Sequence, residues 1–562
     1  MRCHYEKRKE TRATIRAGAI LICVAGALLP RSIAQGMQSP AAFTIVGSQF
    51  HQRAPEDAGE ARVCIQNTGE RTLSMADLKI QVLAQRADSS GASATECQCV
   101  YAKLSPPVLP PGAYGEVVAK LMDRPMGGHQ LTCNLFAADG AISQAVPLIE
   151  PPLWISFVGF SEDLRRVFVY VENPGSEPVE AQLLRVGQFD MADRAKAIHA
   201  PIPPKDKGCL IGELPSPVAA GAFVHIVVAT NTDGRQSQMH AVIRAIHRFF
   251  VVMEGGSGDP RLGLDAQWPF VQTMACPAHA HGSHEQAAAK FLADYTQRFS
   301  QDPSQVIQMH LCRSDMTRAW FRFGNLPDVA VMNTCLRPSL NYDKDPQKWF
   351  CPFFCTGALA KRVTEPGRNV ALIHTGPDAE DEGSFLHKEL TSQEWRFLVY
   401  CAVASGAKGI IYRGPPKSDP LVGDAFRQLN RQLQHLNPFL LIAEPVEWAT
   451  ADGSGYAVKS LLCGDQAVLI VVFDCRYFSR KRNGRLYTPP FARTVSSVRV
   501  HMRIPASVTV QDVAGVLGSL DRSSWAYQNG NLDFTADMVD SAQVYIASLR
   551  RQTKLAEKGR SP

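Results

Sequence analysis

Tyr400-Cys401-Ala402-Val403-Ala404-Ser405-Gly406-Ala407-Lys408-Gly409-Ile410-Ile411-Tyr412 reads as a helix that stops and turns at once into a strand. The residues up to Ala404 continue a helical stretch from Ser392, Gly406 lets the helix end, and Gly409–Tyr412 opens a continuous apolar run. An apolar run fed directly by a helix belongs to a sheet buried on both faces. The same alternation extends outward. Phe250–Met253, Phe270–Ala275, Val306–Leu311, Val329–Met332 and Val370–Ile373 are apolar runs. Helical stretches lie at Glu285–Phe299, Met316–Phe323, Pro352–Val363, Ser392–Ala404 and Val422–Leu436. Six buried strands alternating with helices predict a parallel sheet, either open and doubly wound or most of a (β/α) barrel. After the first strand, Glu254-Gly255-Gly256-Ser257-Gly258 leads to Asp259-Pro260 and not into a helix, so the dinucleotide fingerprint fails. No cofactor is expected.

The flanks read differently. From 41 to 246, short Val/Ile/Phe/Tyr-rich runs alternate with Asn-Gly and Pro-Gly turn signals. An internal repeat is visible: Val63-Cys64-Ile65-Gln66-Asn67-Thr68-Gly69 matches Val169-Tyr170-Val171-Glu172-Asn173-Pro174-Gly175. Leu109-Pro110-Pro111-Gly112 is paired with Val218-Ala219-Ala220-Gly221. A period of about a hundred residues is that of one immunoglobulin-like sandwich. After Ala443 strand signals return, with Gly464-Asp465 as a hairpin turn.

The first sixteen residues are polar and basic, Ala17–Leu29 is apolar, and Ser32-Ile33-Ala34 offers a small-x-small cleavage site. That order predicts a secretory signal peptide cut near Ala34, hence a secreted protein, periplasmic or extracellular, that meets a membrane only during export. The whole chain carries 59 Lys+Arg against 53 Asp+Glu, a net of +6. Residues 1–34 hold seven of the basic and two of the acidic residues, leaving 52 and 51, a net of +1. Without a polybasic stripe, nucleic acid is not an expected partner. Thirteen of the 15 cysteines lie after residue 34. Their spacing predicts a few disulfides and no metal cluster.

The segment Thr391-Ser392-Gln393-Glu394-Trp395-Arg396, continued by Tyr400 to Tyr412, resembles the end of the barrel in secreted glycoside-hydrolase-like proteins of the β-galactosidase type. Asp540-Ser541-Ala542-Gln543-Val544-Tyr545 resembles the sandwich that follows those barrels. The likeness covers roughly 249 to 549. Together with the readings above it predicts a multidomain β plus α/β protein: signal peptide 1–34, immunoglobulin-like β-sandwich 41–150, β-sandwich 151–246, a glycosidase-like (β/α)8-like barrel, complete or partial, over 247–445, a C-terminal β-sandwich 446–550 and a polar tail 551–562. It also implies a carbohydrate or glycoconjugate as partner.

Glycoside hydrolysis needs two carboxyl groups flanking the bond, presented at the C-terminal ends of barrel strands. Glu254 follows the first strand, Asp315 the third, and Asp378 lies in the acidic run to Glu382 after the fifth; these are the candidate catalytic residues. The Asn-Glu pair usual in the family is missing, since the Val329 strand continues Asn333-Thr334-Cys335. A non-catalytic carbohydrate-binding or cell-surface protein on a degenerate barrel is therefore the alternative. His310, Arg313, His374 and Arg413 close strands or follow them and are candidate substrate-binding residues. A third reading is a metal-dependent hydrolase using His279 and His281, whose His-x-His spacing suits one divalent ion. Against it, Ser283 with Glu285 two residues on reads as an ordinary helix cap. Trp349-Phe350 and Phe353-Phe354 suit either core packing or stacking on sugar rings.

Overall fold

The computed structural model describes residues 42–86, 94–125, 129–140, 143–232, 234–253, 264, 271–274, 283–311, 316–333, 346–374, 392–413, 420–453, 455–475, 480–482, 485–487, 496–516 and 524–551. The described residues, from 42 to 551, belong to one compact unit.

The first hundred described residues make two four-stranded antiparallel sheets. One runs Phe43–His51, Glu60–Asn67, Tyr114–Leu121, Cys99–Ser105 in spatial order; the other runs Ser143–Leu148, His129–Ala137, Leu78–Arg86, Thr95–Glu96. Strand alternation sends Ala61, Val63, Ile65, Val117 and Ala119 to the shared core, where they meet Val82, Leu131, Cys133 and Leu135. A second pair of sheets repeats this plan. Trp154–Phe160, Arg166–Glu172, Lys207–Glu213 and Ala195–Ile198 face Phe189–Asp190, Glu180–Val186, Phe223–Thr232 and Arg235–Arg244. Even the irregularities recur: the first strand pair of each unit has a bulge, at Ile45/Gly47 and at Ile155/Phe157.

The repeat is sharper in space than in sequence. Gly112 donates its N–H to Asn67 O and Ala113 to Pro110 O; Lys205 donates to Asn173 O and Asp206 to Pro203 O. The counterpart of Leu109-Pro110-Pro111-Gly112 is thus Ile202-Pro203-Pro204-Lys205, and the pairing with Val218–Gly221 is corrected. Gly112 and Lys205 share the left-handed conformation, φ 75° and 58°. Lysine at the second site hides the turn from a glycine-based reading.

Next comes a six-stranded, all-parallel sheet ordered Phe250–Met253, Gly409–Arg413, Arg368–His374, Val329–Asn333, Val306–Leu311, Val271–Met274. From the second strand onward, chain neighbours are sheet neighbours, and the sixth strand returns to the first. This is the order of a ring cut between its first and second strands, not the reversing order of a doubly wound sheet. Among the described residues those two strands do not pair, and six strands rather than eight are present, so a closed eight-stranded barrel is not seen. One face carries Phe250, Val252, Val306, Val329, Val331, Val370, Leu372 and Ile411, packed together with Ile246. The opposite face packs on the helices: Met309 and Leu311 share a cluster with Phe291, Tyr295 and Trp320, and Ile373 and Tyr412 one with Trp395, Tyr400 and Phe426.

The remaining chain forms a five-stranded sheet and a four-stranded sheet over Glu444–Arg551. Its central strand, Ala467–Asp474, is buried along its whole length. Tyr170 ties it to the second pair of sheets, donating to the carbonyls of Ile442 and Leu462 and accepting from Gly464 N–H.

Candidate functional site at the rim of the parallel sheet

In a parallel sheet of this order the C-terminal strand ends form one rim, and loops leaving that rim carry chemistry. The junction read from sequence sets one part of it. Gly406 adopts φ 99°. Its N–H and that of Ala407 turn back to the Val403 and Ala402 carbonyls, and Lys408 N–H bonds Asn369 O. The chain thereby enters Gly409–Arg413 beside Arg368–His374, and His374 and Arg413 become register partners at the rim. His310 pairs in register with Val331 one strand further along, a residue short of its strand's end. His310 and Arg413 are both half-buried.

Backbone alternation gives His310 the face of Val306, and Arg413 the face of Ile411, which is the face away from the helices. Asp315, Asp378, Glu254, Arg313, His279 and His281 lie outside the described residues, as does the acidic run 378–382. No carboxylate closes any of the six strands, which end Met253, Met274, Leu311, Asn333, His374 and Arg413. Among the described residues, the strand ends at this rim carry no acid.

The opposite end of the sheet is clamped by charge. Arg244, on Arg235–Arg244, pairs its Nε with Asp328 at 3.3 Å and donates to the Pro303 and Gln305 carbonyls. Asp328 also accepts from Tyr295 Oη at 2.7 Å and from Ile307 N–H. Arg368, Lys408 and Lys361 surround the Phe157 ring, with Lys408 Nζ 4.1 Å from its centroid. Burial pulls Lys408 down to about 7, and Arg368 down to about 9. These cations anchor the sheet's N-terminal end and lie away from the rim.

Ser283 caps helix His284–Gln301, accepting from Gln286 N–H, and its hydroxyl lowers the Glu285 carboxyl. Cys64, Cys97, Cys99, Cys133, Cys209, Cys355, Cys401, Cys463 and Cys475 form no disulfide with one another, so the expected bridges are not formed among them. Sequence reasoning missed one constellation: Cys64, His225 and His240 converge although 161 and 15 residues separate them. No local spacing signals it.

No protein-family model matches the chain, and no curated protein matches it. Among solved structures, one from Bacteroides fragilis assigned as an α-galactosidase is 10% identical, covering 71% of this chain and 98% of its own, with a TM-score of 0.25. The β-glucuronidase of Parabacteroides merdae is 8% identical, covering 89% and 91%, at a TM-score of 0.19. An archaellum periplasmic stator protein from Sulfolobus acidocaldarius covers 19% of this chain and 99% of its own, at 12% identity and a TM-score of 0.15. Superpositions this loose leave function to be argued from the chain's own residues.

Proposed function

We propose that this chain is an exported carbohydrate-active protein of glycoside-hydrolase type, acting on an extracellular polysaccharide or glycoconjugate at the C-terminal rim of the parallel sheet. The observation that carries it is the ring-like strand order, which brings the ends of successive strands, with His310, His374 and Arg413 among them, to one rim. Imidazole and guanidinium donors suit the hydroxyls of a sugar. Glu254, Asp315 and Asp378 supply the carboxyl groups, since each lies in a segment leaving that rim. One carboxyl protonates the leaving oxygen while the other attacks or activates water; a gap of about 5–5.5 Å gives retention and about 6.5–9.5 Å gives inversion. Export rests on the basic, apolar, small order of residues 1–34.

The absence of a carboxylate at the six strand ends favours a second reading, in which the rim binds glycan without cutting it. Chromogenic glycosides and a glycan array separate the two. Turnover lost by at least a hundredfold in Asp315→Asn or Glu254→Gln supports hydrolysis. Array binding lost in Arg413→Ala, with no turnover by the unaltered protein, supports binding alone. Turnover unchanged in Glu254→Gln, Asp315→Asn and Asp378→Asn alike would sink the assignment of the acids.

A further inference from the structure

The outer faces of the two N-terminal units meet, and at their meeting three metal-binding side chains converge. Cys64 lies on Glu60–Asn67, where alternation turns it away from the core that Val63 and Ile65 enter. His225 and His240 stand diagonally on paired strands, in register with Val242 and Val227, and likewise turn away from their own core. All three are buried against one another, at 2%, 5% and 7% exposure. The bulge at Ile45/Gly47 puts a glycine opposite Cys64, and a side chain there would fall on the His240 ring. The sequence clears the space that the ring occupies.

We propose that Cys64, His225 and His240 form a zinc site joining the two units. Cys64 Sγ lies 3.4 Å from His225 Nε2, which lies 3.1 Å from His240 Nδ1, and all three atoms fall within 4.8 Å of one another. Zinc takes nitrogen at about 2.0–2.1 Å and thiolate at about 2.3 Å in tetrahedral array. Those lengths set neighbouring ligand atoms about 3.3 Å (N to N) and about 3.5 Å (S to N) apart. Movements of a few tenths of an ångström convert the two contacts on His225 into coordination, and Cys64 and His240, within 4.8 Å of each other, close on the same centre. The rings are held by packing: His225 stacks on His240 with centroids 5.4 Å apart and on Tyr114 at 4.6 Å. Thiolate with two imidazoles suits zinc over magnesium or calcium, which prefer oxygen. Three protein ligands leave a fourth position. A cleft of about 690 Å³, lined by Tyr114, His225, Arg244 and Phe299, lies against the His225 ring. Binding releases the Cys64 thiol proton to solvent and forms one metal–sulfur and two metal–nitrogen bonds.

The test uses the full exported chain, stripped with chelator and titrated with Zn²⁺ or Co²⁺ alone. The expected result is one equivalent bound, a raised Tm, a thiolate-to-cobalt charge-transfer band, and Cys64 shielded from alkylation by zinc in peptide mass mapping. Cys64→Ser and His240→Gln should each lose the band, and Cys355→Ser, which alters an exposed thiol, should keep it. Failure of the unaltered protein to bind, protection of a cysteine other than Cys64, or a band that survives in folded Cys64→Ser would overturn the proposal. The unaltered protein's band and alkylation map decide the matter even where a variant fails to fold.

Discussion

Asn67 and Asn173 do the same work in the two N-terminal units. Each is fully buried and accepts from the N–H two residues ahead, Gly69 or Gly175. Each donates its amide to the carbonyl four residues ahead, Arg71 or Glu177, and to the carbonyl that opens the Pro-Pro turn, Leu109 or Ile202. One side chain thus closes its own turn and pins a distant one.

Asn67→Ala and Asn173→Ala should each destabilise the protein, because each removes three hydrogen bonds made by a fully buried amide. At about 0.5–1.5 kcal/mol net per bond, with water replacing the partner at the exposed ends, the loss comes to about 1–3 kcal/mol. Urea unfolding should show losses in that range for both; a loss below about 0.5 kcal/mol for either would contradict the equivalence.

Glu60 sits under a different load. It accepts two bonds from Arg53, at 2.9 and 3.0 Å, and pairs with Arg62 and Lys120, while Arg62 also meets Glu116. Burial opposes its charge, yet Arg53, Lys120 and Arg62 hold its carboxyl well below the usual value. Glu60→Gln leaves buried cations short of a partner and should cost about 3–5 kcal/mol. The exposed pair Lys196–Glu213 should lose at most about 1 kcal/mol in Glu213→Gln. Because the folded value is depressed, Glu60's contribution is present above the ordinary carboxylate range and is lost as pH falls through the lower folded value. Acid titration of stability should therefore be shallower in Glu60→Gln than in the unaltered protein.

Gly464 and Gly112 separate two costs. Both take positive φ, 57° and 75°. At Gly112 a Cβ would stand in open space, so Gly112→Ala should cost only the left-handed backbone penalty of about 1–2 kcal/mol. At Gly464 a Cβ would fall on the Phe168 ring, so Gly464→Ala should lower Tm further than Gly112→Ala does. Equal Tm shifts would mean that the Phe168 contact gives way freely.

Lys408 predicts an alkaline signature. Its ammonium faces Phe157 and donates to Ala443 O, and burial lowers it from 10.5 to about 7. Between those values the unfolded chain holds a proton that the folded one lacks, so this residue's contribution to stability rises with pH across that window. The unaltered protein should gain on Lys408→Met by at most about 1.4 kcal/mol per pH unit from 7 to 10.5. A difference that stays flat with pH would refute the shift.

Much of this molecule is decided locally. The glycine stop at Gly406, the apolar runs of the parallel sheet, the cap at Ser283 and the Asn-x-Gly turns at 67 and 173 are short-range statements of backbone preference and hydrophobic period, and such statements survive in a single sequence. The order of the six strands, the true partner of the Leu109 turn and the burial of Arg62 and Cys64 were settled only when whole elements packed face to face. Alternation marks Arg62 and Cys64 as outward, and outward usually means wet. Here the outward face of one unit is covered by another, so a charge network and a Cys-His-His cluster end up inside. The sequence carries the residues of that cluster but no sign of their meeting, because contacts between residues 161 positions apart are made by sheets, not by spacing.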